Sequence, residues 1–275
     1  MLIDSHTHLH DRQFFSEAEA EEMLARAATN DVLQLICIGT DPQDSLAAKD
    51  FAEAHEGVFW TYGVHPEESN GSFSSPRSSR PSLRGSAAIS RQQPPRCAEK
   101  SPFDSNRLVA IGEVGLDYHS EDYDREAQIR LLEEMLQLAR DHQLPVSFHV
   151  RNAFDDFFAI IKNFPEIKGV VHSFTDSKKT LKKILNETDF YVGVNGLATY
   201  STLPLPPLER ILLETDAPFL TPVPNRGKIN ESAYIKDIAY WLSNKLEVSS
   251  EEIADKTTEN ARRLFNLSNS VLRKA

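Results

Sequence analysis

Eight short apolar runs, separated by longer amphipathic stretches, constrain this chain more than any other property. Runs of that length read as buried strands, and helical periodicity between them marks crossovers, so the alternation predicts βα units around a parallel sheet. Strands are expected at Leu2–Ser5, Leu33–Gly39, Val58–Val64, Leu108–Glu113, Val146–Val150, Gly169–His172, Tyr191–Val194 and Ile211–Thr215. Helices are expected at Ala18–Ala28, Asp44–His55, Arg125–His142, Asp155–Asn163, Lys178–Asn186, Ser232–Lys245 and Ser250–Phe265. In Arg125–His142, Leu131, Leu132, Met135, Leu138 and Ala139 form a stripe at helical spacing, which is a core-facing surface. Eight strands with intervening helices in 275 residues favour an α/β fold, a single-domain (β/α)8 or TIM barrel. A doubly wound open sheet is the alternative, but no glycine-rich phosphate loop follows an early strand.

Two stretches break the pattern. Residues 69–106 carry eleven Ser, five Pro and six Lys/Arg against two Asp/Glu, so the segment is locally basic in an acidic protein. Such a composition buries too little apolar surface to offset the entropy of ordering it. It is expected to be a disordered, low-complexity insertion standing where the third helix belongs; a basic arm for a polyanion and a segment foreign to the native chain are the other readings. The second break is Gly196–Pro207, with prolines at 204, 206 and 207 and no amphipathic period. Proline costs about 3 kcal/mol inside a helix, so the seventh helix is expected to be shortened or absent and the barrel poorly covered on two flanks.

A formal charge of -11 argues against long-range capture of nucleic acid, though not against a nucleic-acid substrate held by a few local cations. Cys37 lies in an apolar run and reads as a buried thiol; with Cys97 as the only other cysteine, no disulfide is expected. No basic leader with an apolar core precedes the first strand and no apolar run approaches 18 residues, so a cytoplasmic protein without membrane contact is expected.

Chemistry accumulates at the predicted strand ends. His6 and His8 are two apart, and residues i and i+2 of a strand share a face. Later strands end at His65, Glu113, His149, His172 and Asp216, so five of the nine histidines fall where a barrel gathers catalytic groups. Taken singly, His65 could cap a turn before Pro66, and His149 or His172 could be a satisfied core histidine. Glu113 between two glycines is harder to explain that way, since an unpartnered buried carboxylate is costly. Imidazole and carboxylate together suit borderline divalent metals. His10, His55, His119 and His142 fit no ligand position and are expected at the surface or at caps.

These segments resemble the TatD family of metal-dependent deoxyribonucleases, amidohydrolase-type barrels. The matching motifs are Asp4-Ser5-His6-Thr7-His8, Gly63-Val64-His65-Pro66, Gly112-Glu113-Val114-Gly115-Leu116-Asp117, His149-Val150-Arg151-Asn152-Ala153, Val171-His172-Ser173-Phe174, Glu214-Thr215-Asp216-Ala217-Pro218 and Pro224-Asn225-Arg226-Gly227-Lys228, spanning the chain apart from 69–106. The resemblance implies two divalent metal ions (Mg2+, Mn2+ or Zn2+): His6, His8, Glu113 and Asp216 around one, with Glu113 bridging to a second held by His149 and His172. Two metals about 3.5–4 Å apart can clamp both the attacking and the leaving oxygen of a phosphodiester and supply hydroxide at neutral pH. Asp216 is placed to orient the attacking water and accept its proton, which makes Asp216 and Glu113 the candidate catalytic pair.

Substrate phosphate also needs cations that are not ligands. Arg151 shares a strand face with His149, and Arg226 and Lys228 follow the eighth strand; guanidinium meets phosphate bidentately. With His65, these are the candidate substrate contacts. Asn195 and Tyr200 lie on the shortened loop, which puts any family role for them in doubt. The expected function is metal-dependent hydrolysis of nucleic-acid phosphodiesters, trimming DNA from an end. The alternatives are hydrolysis of another ester or amide, such as a D-aminoacyl-tRNA, and an inactive barrel that binds a partner.

Overall fold

Alternation along each strand decides which residues fill the barrel and which face its helices. A computed structural model describes residues 1–70 and 101–273. Its strands are β1 (Leu2–Thr7), β2 (Val32–Cys37), β3 (Val58–Tyr62), β4 (Leu108–Asp117), β5 (Val146–Arg151), β6 (Gly169–Val171), β7 (Tyr191–Val194) and β8 (Ile211–Leu213). All pair in parallel, in chain order from β1 to β8. The ring is closed between β8 and β1 by the bridge of Thr7 with Ala217 and by main-chain bonds from Asp216 to His6 (2.9 Å) and from His8 to Ala217 (2.9 Å). Buried Asp4 reinforces that seam, its carboxylate accepting from the Thr215 amide at 2.9 Å and hydroxyl at 2.6 Å.

Leu35, Cys37, Val58, Trp60, Ile211 and Leu213 belong to the larger core, between the strands and the surrounding helices. Their neighbours Ile36, Ile38, Phe59 and Leu212 belong to a second cluster, with Ile3, Val170 and Tyr191, that fills the barrel. Ala261, Leu264 and Phe265 of the last helix pack against that cluster. Burying a side chain of this size stabilises by about 1.5–3 kcal/mol, so both layers are needed to hold the ring.

The helices are α1 (Glu17–Thr29), α2 (Pro42–Ala54), α3 (Arg125–His142), α4 (Phe154–Ile161), α5 (Lys178–Glu187), α6 (Ile235–Leu246) and α7 (Ser250–Phe265). Short polar side chains start most of them. Ser16 and Glu19 make a reciprocal capping box on α1, Asp41 caps α2 ahead of Pro42, and Asp124, Ser177 and Ser249 cap α3, α5 and α7. Each such cap is worth about 1 kcal/mol. Among the described residues no helix is long and apolar enough to cross a membrane.

Both irregular stretches depart from expectation in detail. Residues 71–100, the bulk of the low-complexity segment, lie outside the described residues, as does Cys97. The margins of that segment are ordered: 3-10 turns form at Pro66–Asn70 and Pro102–Asp104, and Phe103 packs on Tyr62 and stacks on His142. Between β7 and β8 the chain makes two 3-10 turns, Gly196–Thr199 and Leu208–Arg210. That flank is not bare. Leu203, Leu205 and Leu208 pack against the core, and Asn260 of α7 donates to the Leu208 and Ile211 carbonyls at 2.9 Å. Prolines preclude a helix there, yet an extended chain of alternating leucines covers the sheet.

Candidate metal centre

The alternation that fills the barrel also aims the ligand-type residues at its mouth. Continuing upward by twos from interior Leu212 gives Glu214 and Asp216; from Val170, His172; from Phe59, Thr61, Gly63 and His65; from Tyr191, Gly193 and Asn195. β4 runs past its expected end at Glu113 to Asp117, and its register with β5 slips between Ile111 and Val114. This bulge puts Glu113 into the interior on a strand that stays paired beyond it.

The structure brings His6, His8, His65, Glu113, His149, His172 and Asp216 into one cluster. Glu113 Oε1 lies 2.7 Å from His149 Nδ1, 2.8 Å from His172 Nε2 and 3.9 Å from His65 Nε2. Glu113 Oε2 lies 3.4 Å from His6 Nε2, and Asp216 Oδ1 lies 3.6 Å from both His6 Nε2 and His8 Nε2. The His6 and His172 rings stack with centroids 3.9 Å apart. Ligand atoms of His6, His8 and Glu113 fall within 4.8 Å of one another, as do those of His65, Glu113 and His149 and those of His6, His172 and Glu214. Glu113 belongs to two of these groups.

A divalent cation fits this donor set. His6 is fully buried, and its Nδ1 and Nε2 have no hydrogen-bond partner, a costly arrangement that a cation among the carboxylates would relieve. Burial, followed by the neighbouring His172, pushes the His6 imidazole below its usual range, which keeps a nitrogen lone pair free. Glu113 is held well below the carboxylate range: His172 and His6 outweigh burial, aided by bonds from His149 and His172. Asp216 is likewise lowered to about 2, burial being outweighed by His8, His172 and His6. Asp216 has a left-handed backbone (φ 57°), uncommon for a residue with a side chain and characteristic of functional turns.

Sequence reasoning missed a layer of groups behind these histidines. Asp117 Oδ2 lies 2.8 Å from His149 Nε2, and buried Gln128 of α3 clamps the Asp117 backbone through bonds of 2.8 and 2.9 Å. Glu214, fully buried, lies 3.6 Å from His172 Nδ1 and accepts from the Ser173 amide at 2.6 Å. Asn195, placed in doubt from sequence, is buried and donates to Ser173 Oγ at 2.8 Å beside Glu214. The signal was available: Asp117 shares a strand face with Glu113, and Glu214 is a carboxylate directly after an apolar strand. His10 is also corrected. It is buried, with Nε2 3.0 Å from Asp44, rather than at the surface.

The cluster opens into a cavity of about 920 Å3 lined also by Arg151, Thr40 and the carboxylates of Asp11, Glu67 and Glu68. Among the described residues Arg151 is the only Lys or Arg that lines it. Arg226 and Lys228 sit outside the lining: the Arg226 guanidinium lies 3.8 Å over the Tyr200 ring, and Lys228 Nζ donates to Asn225 at 3.2 Å. Cys37 is buried, and burial pushes its thiol far up, so it is chemically inert.

Known proteins resemble this chain along its length. The family model described as TatD related DNase matches residues 3–266. YcfH of Escherichia coli K12, named a metal-dependent hydrolase, is 32% identical over 98% of each chain. A protein of Pantoea ananatis named 3'-5' ssDNA/RNA exonuclease TatD is 31% identical over 97% of this chain and 100% of its own. The crystal structure of YjjV, a TatD homologue from Escherichia coli K12, superposes with a TM-score of 0.76 at 25% identity, covering 97% of this chain and 98% of that one. With a family match that runs nearly end to end and a cluster able to hold a metal ion, the chain belongs to the TatD-related DNase family and is a metal-dependent hydrolase.

Proposed function

We propose that the protein hydrolyses phosphodiester bonds of single-stranded nucleic acid, removing nucleotides from an end, at a dinuclear centre. One observation carries the reading: Glu113 faces His6 through one carboxylate oxygen and His149 and His172 through the other. That geometry suits a bridging carboxylate, with His6, His8 and Asp216 on one side and His149 and His172 on the other. When bound, two divalent ions polarise a phosphoryl oxygen and lower the pKa of water, so that hydrolysis proceeds near neutral pH.

The chain's own residues supply the rest. Asp216, ionised and facing the cavity, takes the proton of the attacking water at its carboxylate. His65, lowered to about 4 chiefly by burial, stays neutral and presents a nitrogen to the substrate beside Glu113. Arg151 binds a phosphate that flanks the bond being cut. Among the described residues a single arginine stands with acidic lining residues, which suits one terminal phosphate; a long strand needs a track of cations. The exonuclease name of the Pantoea relative agrees with that reading. Arg226 and Lys228 would act only at the rim, after Arg226 leaves Tyr200.

The test is incubation of metal-stripped protein with end-labelled single-stranded DNA and RNA plus Mg2+, Mn2+ or Zn2+, with duplex, phosphomonoester and aminoacyl-ester substrates alongside. Shortening from one end, restored by metal and lost in Asp216→Asn, is expected. Turnover of the aminoacyl ester with both strands left intact would move the reading to another ester.

A further inference from the structure

Phe14 and Phe219 stand at the cavity mouth with 45% and 47% of their surfaces exposed, an unusual position for two phenylalanines. Their rings meet edge to face, centroids 5.3 Å apart at 84°, so each rigidifies the other. The backbone beneath Phe219 is fixed as well. Its amide donates to the Asp216 carbonyl at 2.8 Å, and the fully buried Asn230 donates to the carbonyls of Phe219 at 2.5 Å and Thr215 at 2.8 Å. A hydrophobic side chain without a function would gain by folding inward, but these are braced toward solvent three residues from Asp216. Tyr200, with Arg226 laid over it, stands on the loop after β7, which is tied to the loop after β8 by the Val223 amide donating to Thr199 Oγ1 at 2.9 Å.

The two phenylalanines belong to the loops after β1 and β8, whereas Arg151 ends β5, half-way round the ring. The mouth therefore offers flat apolar surface on one side and a guanidinium on the other, with the metal-ligating cluster between. A nucleotide has the matching form: a flat apolar base at one end and an anionic phosphate at the other. Stacking accepts any base, because every base presents a π face.

We propose that Phe219, supported by Phe14, is a stacking platform for a nucleobase of the strand whose phosphodiester lies at the cluster. The proposal deepens the nuclease reading and rests on it. Phe219 acts on binding and leaves the proton chemistry at Asp216 untouched.

A cycle over protein and substrate tests it. Binding of a short fluorescent single-stranded DNA is measured by anisotropy with Mn2+ in the Asp216→Asn background, which keeps the strand whole. Phe219 is compared with Phe219→Ala and Phe219→Trp, on an intact strand and on strands with an abasic site at each of the last three positions of either end. Phe219→Ala is expected to weaken binding of the intact strand roughly 5- to 100-fold. It should have little effect on the strand whose abasic site removes the stacked base, and Phe219→Trp should bind as Phe219 does. Equal weakening on every strand would show general damage to the mouth and overturn the proposal, as would no weakening or no binding at all. Cleavage by the unsubstituted protein is scored separately. Base-dependent coupling without cleavage keeps the platform and removes the nuclease reading; cleavage without coupling removes only the platform.

Discussion

Asp117 and His149 form a carboxylate–imidazole pair at 2.8 Å, with His149 Nε2 turned to Asp117 and Nδ1 turned to Glu113. Asp117 thereby fixes which nitrogen of His149 is offered to a metal, and Gln128 fixes Asp117 from α3. Partners of this kind typically govern 10- to 100-fold in metal affinity. Asp117→Asn should therefore weaken metal binding by about that factor, read by calorimetry on stripped protein, with circular dichroism unchanged. Unaltered metal affinity would reduce Asp117 to a structural role.

Metal binding should be linked to folding through Glu113. A ligand at 100 times its Kd raises stability by about 2.7 kcal/mol, so the melting temperature should rise with added metal and fall with chelator. Glu113→Gln removes the charge that faces His6, His149 and His172 and should abolish most of that dependence. A variant that still gained the full metal-dependent stabilisation would place the metal elsewhere.

Much of this arrangement was legible in the sequence because period and chemistry coincide at the strand ends. His65, His172 and Asp216 each stand an even number of residues above an interior position, so spacing alone implied their convergence; His6 stands three above interior Ile3, because β1 slips register between Asp4 and Thr7. Bulges are where legibility failed. The register slip before Val114 leaves β4 paired as far as Asp117, so the partner of His149 lay beyond the strand end that the apolar run marks. Long-range pairs failed for another reason: Asp4 with Thr215, and Gln128 with Asp117, depend on elements whose approach no local pattern encodes. The loop after β7 showed the opposite error. Its prolines excluded a helix, but Leu203, Leu205 and Leu208 still cover the flank.

The pH dependence has a definite sign. Burial lowers the His149 pKa, but Asp117 and Glu113 override it and raise it to about 9. With an unfolded value near 6.5, His149 contributes stability that is complete below pH 6.5 and lost as pH rises through 9, about 3 kcal/mol for the metal-free protein. His172 is also raised, burial being overridden by Glu113 and Glu214, and acts in the same direction. His6 and His65, both lowered, act with the opposite sign: below pH 6.5 the unfolded chain takes up protons that the folded one does not, so they cost stability as pH falls. Denaturant titrations of the stripped protein should show the loss between pH 6.5 and 9. Metal must displace the same protons, so its affinity should climb across that window. A flat stability profile that persists in Asp117→Asn would show that His149 is neutral throughout.

Gly193 tests the second orienting carboxylate. A Cβ there would sit 2.2 Å from Glu214 Oε2 and 2.5 Å from Oε1, and Glu214 is fully buried. The glycine is needed for space, since its backbone lies in the ordinary β7 ladder opposite Leu212. Gly193→Ala must therefore push Glu214 off His172 and the Ser173 amide. Overpacking of this kind costs about 1–3 kcal/mol, and loss of the partner of His172 should weaken metal binding roughly 10-fold or more. The two effects separate in Glu214→Gln, which keeps the side chain's volume and removes its charge: affinity should fall while packing is spared. Equal metal affinity in Gly193→Ala, Glu214→Gln and the unsubstituted protein would mean that His172 holds its orientation through Glu113 alone.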